Sequence, residues 1–371
     1  MRPILRIPGL RTPAQARAWL ARPRLPASRS GRALLGFWSA LLLAACVGGA
    51  TLQWLGPVRP SPDKVRAAAR PVLVATLIAK PAHAAAAVPH PRTAIAAPDP
   101  ALLEPAPDYH GAAVPRIAAD GRQARVVYAG WSPPEGALPP PPRIGILLDG
   151  LGLSAADSTS AIESLPAAVS LAVSPYAPDL EPLLAEARLR GHELLLSLPM
   201  EPLHAPNDDE GPQAMNDDLA AQQNQRRLEW ALSRLQGYAG VTNALSGLAG
   251  EGFTGLPAFG VVAHGLGARG LFYLNASPGT DRPLGIWGAN ADLRLDDTQD
   301  AAAIDARLLQ LEQIASHNGH AIGVAGPLYP VTVARIAAWS RSLAARGMIL
   351  VPVSSLSGAP ADAVEARRSD E

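Results

Sequence analysis

From residue 143 onward the chain alternates between short apolar runs and longer stretches whose apolar residues recur three and four positions apart. Ile144-Gly145-Ile146-Leu147-Leu148 is a continuous apolar run closed by Asp149, the pattern of a strand buried on both faces. A helix is predicted next, opened by Ser154 and ended near Leu165-Pro166. Further strands are predicted at 169–173, 193–198, around Val241, and at 271–274, 321–325 and 349–353. Helices fall between them at 180–190, closed by Gly191, and at 222–235, with Leu228, Ala231, Leu232 and Leu235 on one face. Others are predicted at 257–268, closed by Gly270, and at 304–316 and 331–346. Strands that alternate with helices imply parallel pairing through crossover units, hence an α/β domain. A (β/α) barrel, irregular in places, fits better than an open sheet, but spacing alone does not decide between them.

The first 142 residues follow a different rule. Arg2, Arg6, Arg11, Arg17, Arg22, Arg24, Arg29 and Arg32 all precede the first acidic residue. Residues 33–58 then run without a charge, and a transmembrane helix needs about 20 apolar residues. Trp38 and Trp54 stand near the two ends of this run, where amphipathic rings favour the headgroup region. The positive-inside rule makes 1–32 a cytoplasmic tail and 33–58 a transmembrane anchor or signal segment. The expected location is a bacterial inner membrane, single-pass, with the C-terminal domain in the periplasm. Leu43-Ala44-Ala45-Cys46 resembles a lipoprotein cleavage box, which would leave Cys46 lipidated. The apolar run continues past Cys46, however, and the basic region is long for a signal peptide, so an uncleaved anchor is favoured. Cys46 is the single cysteine, so the exported part has no disulfide of its own.

Residues 59–142 are rich in Ala and Pro and show no sustained period of 2 or 3.6, which predicts a disordered linker. Within it, Val126-Val127-Tyr128 is a short strand or docking segment. The globular domain is assigned to 143–356, and 357–371 to a disordered tail. The formal net charge is zero, so no electrostatic case exists for nucleic acid as a partner.

In parallel α/β folds, chemistry sits just past the carboxyl ends of the strands. Those positions hold Asp149-Gly150, Ser197 to Glu201, Thr242-Asn243-Ala244, Asn275-Ala276-Ser277, Asp296-Asp297, Gly326 to Tyr329 and Ser354-Ser355. Gly150-Leu151-Gly152-Leu153-Ser154-Ala155 matches a loose dinucleotide-binding pattern. The acidic residue such a site needs after the second strand is missing from Ser174-Pro175-Tyr176, so no nucleotide cofactor is expected.

Asp149-Gly150-Leu151-Gly152-Leu153 resembles the Asp-Asp-Leu-Gly motif of the divergent polysaccharide deacetylase family. The resemblance continues in order through Ser174-Pro175-Tyr176-Ala177, Gly191-His192-Glu193, Leu198-Pro199-Met200-Glu201-Pro202 and Leu350-Val351-Pro352-Val353-Ser354. It implies a distorted (β/α) barrel of the polysaccharide deacetylase type and a role in carbohydrate metabolism. It also implies a divalent metal held by Asp and His, with a neighbouring Asp as base. On that resemblance Asp149 keeps the base-like position, while the ligand positions carry Gly150, Ser197, Ala244 and Gly326. A catalytic zinc needs three protein ligands and an open position. No cofactor is therefore expected unless the site is rebuilt for zinc. Glu201 and His204 are the candidates for rebuilding, with Asp149 and Asp296 or Asp297. His192, His264, His317 and His320 are expected to be structural or superficial.

Three readings follow. The first is a degenerate domain that binds a cell-envelope polysaccharide or an envelope protein. The second is an active metal-dependent deacetylase or esterase with relocated ligands. The third is a non-catalytic envelope scaffold.

Overall fold

The computed structural model describes residues 94–109, 111–130, 140–280 and 285–360. The basic tail and the apolar span expected over 1–58, with Cys46, lie outside these residues, as do residues 361–371. Among the described residues, no helix is long and apolar enough to cross a membrane.

A small antiparallel hairpin comes first, β1 (Leu103–Ala106) paired with β2 (Ala112–Pro115). The main sheet has nine strands, all parallel. These are β3 (Arg143–Leu151), β4 (Ser170–Val173), β5 (Leu194–Ser197), β6 (Gly240–Thr242), β9 (Phe272–Asn275), β10 (Gly288–Asn290), β11 (Leu293–Arg294), β12 (His320–Ala325) and β13 (Ile349–Val351). A second hairpin, β7 (Ala244–Leu245) with β8 (Leu248–Ala249), rises from the end of β6. The order β10-β9-β6-β5-β4-β3-β12-β11 begins and ends on one run of chain. β10 pairs with β9, and only two residues later β11 pairs with β12. Across that step the Ala291 amide donates to Asn275 O and the Asp292 amide to Ile322 O, both at 2.8 Å. The sheet thus curls into a distorted barrel with residues 288–294 as its seam. β13 pairs with Arg143, Ile144 and Gly145 of β3, and β4 takes over from Leu147.

The local reasons match the sequence pattern. Ile144, Ile146, Leu147 and Leu148 are fully buried, as two-sided coverage by crossover helices requires. The helix Ala155–Ser164 starts at Ser154, whose hydroxyl accepts the Asp157 amide at 3.3 Å. The helix Ala301–Asn318 ends on Gly319 at φ +81°, the left-handed turn that glycine adopts freely. The helix expected over 331–346 runs only over Pro330–Ser340, and a separate 3-10 turn follows at Ala344–Arg346.

Three expectations change at the flanks. The linker assigned to 59–142 is folded over residues 94–130, where Leu102, Val114, Ala118, Ala124 and Tyr128 are buried in the barrel's core cluster. Alanine and proline hid this segment because its apolar residues are spaced for a hairpin and turns, with no helical or strand period. The stretch expected as a short strand or docking segment at 126–128 is no strand but closes a helical turn, Ala124–Val127, and docks through the buried Tyr128. Tyr128 follows it, and the Tyr128 hydroxyl accepts the Asp99 amide at 2.7 Å. The Ile95 amide donates to Arg188 O at 2.8 Å, just ahead of β5. At the other flank, the chain past 356 stays attached through Gly358, which exchanges two backbone hydrogen bonds with Gly288.

Gly191-His192-Glu193 is a structural motif. His192 is buried at the start of β5 with Nδ1 3.0 Å from Val169 O and Nε2 3.1 Å from Ile162 O. Glu193 is fully buried, and its carboxylate collects donors from three distant segments. They are the Gly130 amide at 2.8 Å, the Ser170 hydroxyl at 2.9 Å, the Ser354 amide at 3.1 Å and the Ser354 hydroxyl. Burial raises the acid's pKa, and these hydrogen bonds oppose the rise. Removing such an acceptor leaves buried donors unpaired at about 1–3 kcal/mol each. Glu193→Ala is therefore expected to lower the melting temperature by roughly 10 °C and to release residues 94–130 to limited proteolysis. Thermal denaturation and protease mapping of wild type and variant check both effects.

Candidate functional site

The carboxyl ends of the strands converge around Asp149. Asp149 is buried at the end of β3 and hydrogen-bonded by the Gly247 amide to Oδ2 at 3.1 Å. Its other oxygen, Oδ1, has no hydrogen-bond partner. Burial pushes its pKa up to about 7, opposed by the Gly247 hydrogen bond and the nearby Arg294 charge. Asp149 therefore holds its proton to a higher pH than a solvent-exposed aspartate does.

The two glycines beside it decide what the site can hold. Gly150 adopts φ +93°, and a Cβ there would lie 3.0 Å from the Pro327 side chain and 3.1 Å from its Cα. Gly326 adopts φ +143°, and a Cβ there would lie 2.3 Å from Asp149 Oδ1. Both backbone conformations are ones that L side chains rarely adopt. Gly150 and Gly326 stand where the family resemblance places an Asp and a His. A side chain at Gly326 would collide with Asp149, and one at Gly150 would be strained in its backbone and press on Pro327. Of the other two, Ala244 is buried in β7 and brings no ligand atom, while Ser197 is fully buried with its Oγ unpartnered. Among the described residues, no group of three or more His, Cys, Asp or Glu side chains is placed to hold a metal ion. These residues do not fit the divalent metal that the family's chemistry uses.

The structure draws Asp149 and Asp296 toward the same glycine. The Gly326 amide donates to Asp296 Oδ2 at 3.0 Å, and the Thr332 hydroxyl donates to the same oxygen at 3.1 Å. Asp296 thus fixes the end of β12 to the first turn of the helix Pro330–Ser340. Burial raises its pKa, and Arg294 opposes this. Asp297 faces outward and pairs with Arg307 at 2.9 Å. Glu201 lies on the loop after β5, its amide bonded to Met215 O at 2.8 Å. His204 is largely exposed, with Asp208 3.7 Å from its Nδ1. Among the described residues, no hydrogen bond or ion pair joins Glu201 or His204 to Asp149.

Two residues outside the sequence-derived set shape this face. Arg294, at the end of the seam, donates to Gly326 O at 2.7 Å and lies 3.6 Å from Asp296 Oδ1. Its spacing of two from Asp296 was the available signal. Glu210 accepts the Met200 amide at 2.8 Å through Oε2 while its Oε1 has no partner. Its place in Asp208-Asp209-Glu210 disguised it as part of a solvated acidic loop. The strand-end asparagines are spent internally: Asn243 bonds the Ala276 amide at 2.7 Å and Ser277 Oγ at 3.0 Å. Asn275 bonds Thr280 through its carbonyl and hydroxyl oxygens, each at 3.0 Å.

Above Asp149 lies an open cleft of about 400 Å³ whose lining includes Ser246, Gly247, Arg294, Gln299, Gly326 and Tyr329. Hydroxyl, amide, guanidinium and carboxylate groups surround one aromatic ring. This is a lining suited to hydrogen-bonding a polyhydroxylated ligand.

Residues 146–357 match the model of a family described as divergent polysaccharide deacetylase. The uncharacterized protein YibQ of Escherichia coli K12 is 24% identical over 202 residues, which are 52% of this chain and 60% of YibQ. The chain therefore spans less than two thirds of that relative. The crystal structure of the uncharacterized protein ATU2773 from Agrobacterium tumefaciens C58 is similar at TM-score 0.60 and 33% identity. That similarity covers 66% of this chain and 99% of ATU2773. With the barrel, the strand-end motifs and more than half of its length matched, this chain belongs to the divergent polysaccharide deacetylase family.

Proposed function

We propose that this domain is a non-hydrolytic member of its family that binds a cell-envelope polysaccharide in the cleft above Asp149. The observation that carries this reading is the closure of the chain over the ligand positions, with Gly150 against Pro327 and Gly326 against Asp149. Hydrolysis of an amide by the family's route requires an electrophile polarised by a metal and a water of lowered pKa. Asp149 by itself is a buried acid beneath the cleft floor. The cleft's polar lining with Arg294 and Tyr329 supports glycan binding over docking of an apolar protein surface. The charge-free run at 33–58 supports anchorage in a bacterial inner membrane, with the domain on the periplasmic side. The enzyme reading, built on Glu201 and His204, lacks a comparable observation.

The test joins metal, activity and binding on the full chain. Zinc titration followed by elemental analysis is expected to give no stoichiometric metal, and N-acetylated glycan oligomers to release no acetate. Binding to bacterial envelope polysaccharide is expected to persist and to weaken about tenfold in Arg294→Ala, the loss of one charge-assisted contact of about 1.5 kcal/mol. Zinc-dependent acetate release would overturn the reading. Gly150→Asp, which restores the family's residue type, is expected to cost about 1–3 kcal/mol in urea denaturation through backbone strain, with no gain of metal.

The buried acids also set a pH dependence. The folded-state pKa of Asp149 is raised, so between about 4 and 7 the folded protein holds a proton that the unfolded chain has released. Its contribution to stability is complete below the unfolded pKa and is lost as pH rises through about 7. Glu210, pushed to about 9, extends the same slope upward. Melting temperature is expected to be higher at pH 5 than at pH 8, and Asp149→Asn to flatten the lower part of the profile.

A further inference from the structure

Beside the cleft lies a smaller cavity of about 230 Å³ on the other side of Ser246 and Leu248, which line both. Its remaining lining is Tyr176, Asp209, Glu210, Gly211, Pro212 and Leu245. Two stretches singled out in the sequence build it. Ser174-Pro175-Tyr176-Ala177 supplies the aromatic wall, and the Tyr176 hydroxyl is fixed by the Gln213 amide at 3.2 Å. Leu198-Pro199-Met200-Glu201-Pro202 supplies the Met200 amide that holds Glu210 Oε2. Met215 locks that run, its amide on Pro199 O and its carbonyl on the Glu201 amide.

Glu210 is only 5% exposed, and among the described residues its Oε1 finds no donor. A buried carboxyl oxygen without a partner carries a desolvation cost that a native site normally offsets with a donor. No lysine or arginine lines the cavity. The charges that act most on Glu210 are acidic: Glu251, Asp149 and Asp209, the last exposed at the rim. Arg227 acts on the Tyr176 wall, the other walls are apolar, and the base is an acid. A cavity below the roughly 300 Å³ of drug-sized sites admits a side group rather than a whole oligosaccharide.

We propose that this cavity is a binding site for a protonated amine carried on a short stem, with Glu210 as its counter-ion and the Tyr176 ring as a cation–π wall. The amine's N–H groups supply the donor that Oε1 lacks, and the ring face favours the cation. The site lies next to the proposed glycan cleft but does not depend on it. The side chain of a lysine presents this chemistry. Burial keeps Glu210 protonated at neutral pH, so uptake of an ammonium ion expels that proton to solvent.

The first probe is n-butylammonium chloride, titrated calorimetrically into the full chain at pH 7, with n-butanol as the uncharged control. Butylammonium is expected to bind with a Kd on the order of 1 mM, and n-butanol not to bind. Titrations in two buffers of different ionisation heat are expected to show release of close to one proton. Glu210→Gln keeps an acceptor for the Met200 amide but turns a donor toward the cavity. It is expected to weaken binding at least tenfold and to abolish proton release, with an unchanged far-ultraviolet circular dichroism spectrum as the folding control. Leu248→Trp, which fills the cavity from its wall, gives a second variant with the same expected loss. Nα-acetyl-lysine methylamide is then expected to bind wild type and not Glu210→Gln, with a glucosamine trimer, whose amines sit directly on the ring, as the control that does not bind here. Absence of butylammonium binding up to about 50 mM, or equal binding by wild type and Glu210→Gln, would overturn the proposal. Polysaccharide binding that survives in Glu210→Gln would leave the cleft reading standing, so the two ideas fail separately.

Discussion

The curled parallel sheet closes through residues 288–294, one run of chain that hydrogen-bonds to a different strand on each side. β10 faces β9 and β11 faces β12, with two residues to change sides. The crossing is tight enough that a Cβ on Gly288 would lie 1.9 Å from Tyr273 O. The Asp292 side chain completes the step by accepting the Ile322 amide at 2.7 Å. What the seam delivers at its end is the cleft itself. Arg294 and Asp296 leave it side by side, one holding the carbonyl of Gly326 and the other its amide. Curvature, closure and the polar lining are one piece of backbone.

That dependence explains which parts of the protein were legible in the sequence. Buried parallel strands announce themselves, and Ile144 to Leu148 or Leu194 to Ser197 could be placed from their apolar runs. The seam could not: Gly288, Ala289, Asn290, Leu293 and Arg294 form no period, because each half pairs with a different neighbour. Residues 94–130 were hidden for a related reason. Their buried residues are few, dispersed among alanine and proline, and ordered by tertiary contacts. A strand that is not amphipathic in its own right leaves no trace in a periodicity argument.

The site was legible in part, and the illegible part is chemical. Asp149 could be singled out because it ends the most apolar strand. The loss of ligand residues could also be read, since a glycine at 150 or 326 carries no ligand whatever the fold. Sequence does not reveal that the loss is built into the backbone, with Pro327 packed against Gly150 and Gly326 against Asp149. Nor does it reveal that of three acids in a row, Asp208, Asp209 and Glu210, the last turns inward. One amide, that of Met200, is enough to hold it there. An acid's environment is a tertiary property, and its chemistry cannot be separated from burial.

The first folded residues attach away from the cleft. Ile95 is hydrogen-bonded to Arg188, just ahead of β5, and a Cβ on Gly237, just ahead of β6, would lie 3.1 Å from the Pro98 ring. Gly130 is fastened at the same end of the strands through Glu193. The cleft lies at the other end. The first folded residues are therefore fixed to the barrel at its amino-terminal rim, by Ile95 on Arg188 and by Gly130 on Glu193. An attachment at that rim leaves the cleft, at the opposite ends of the strands, uncovered.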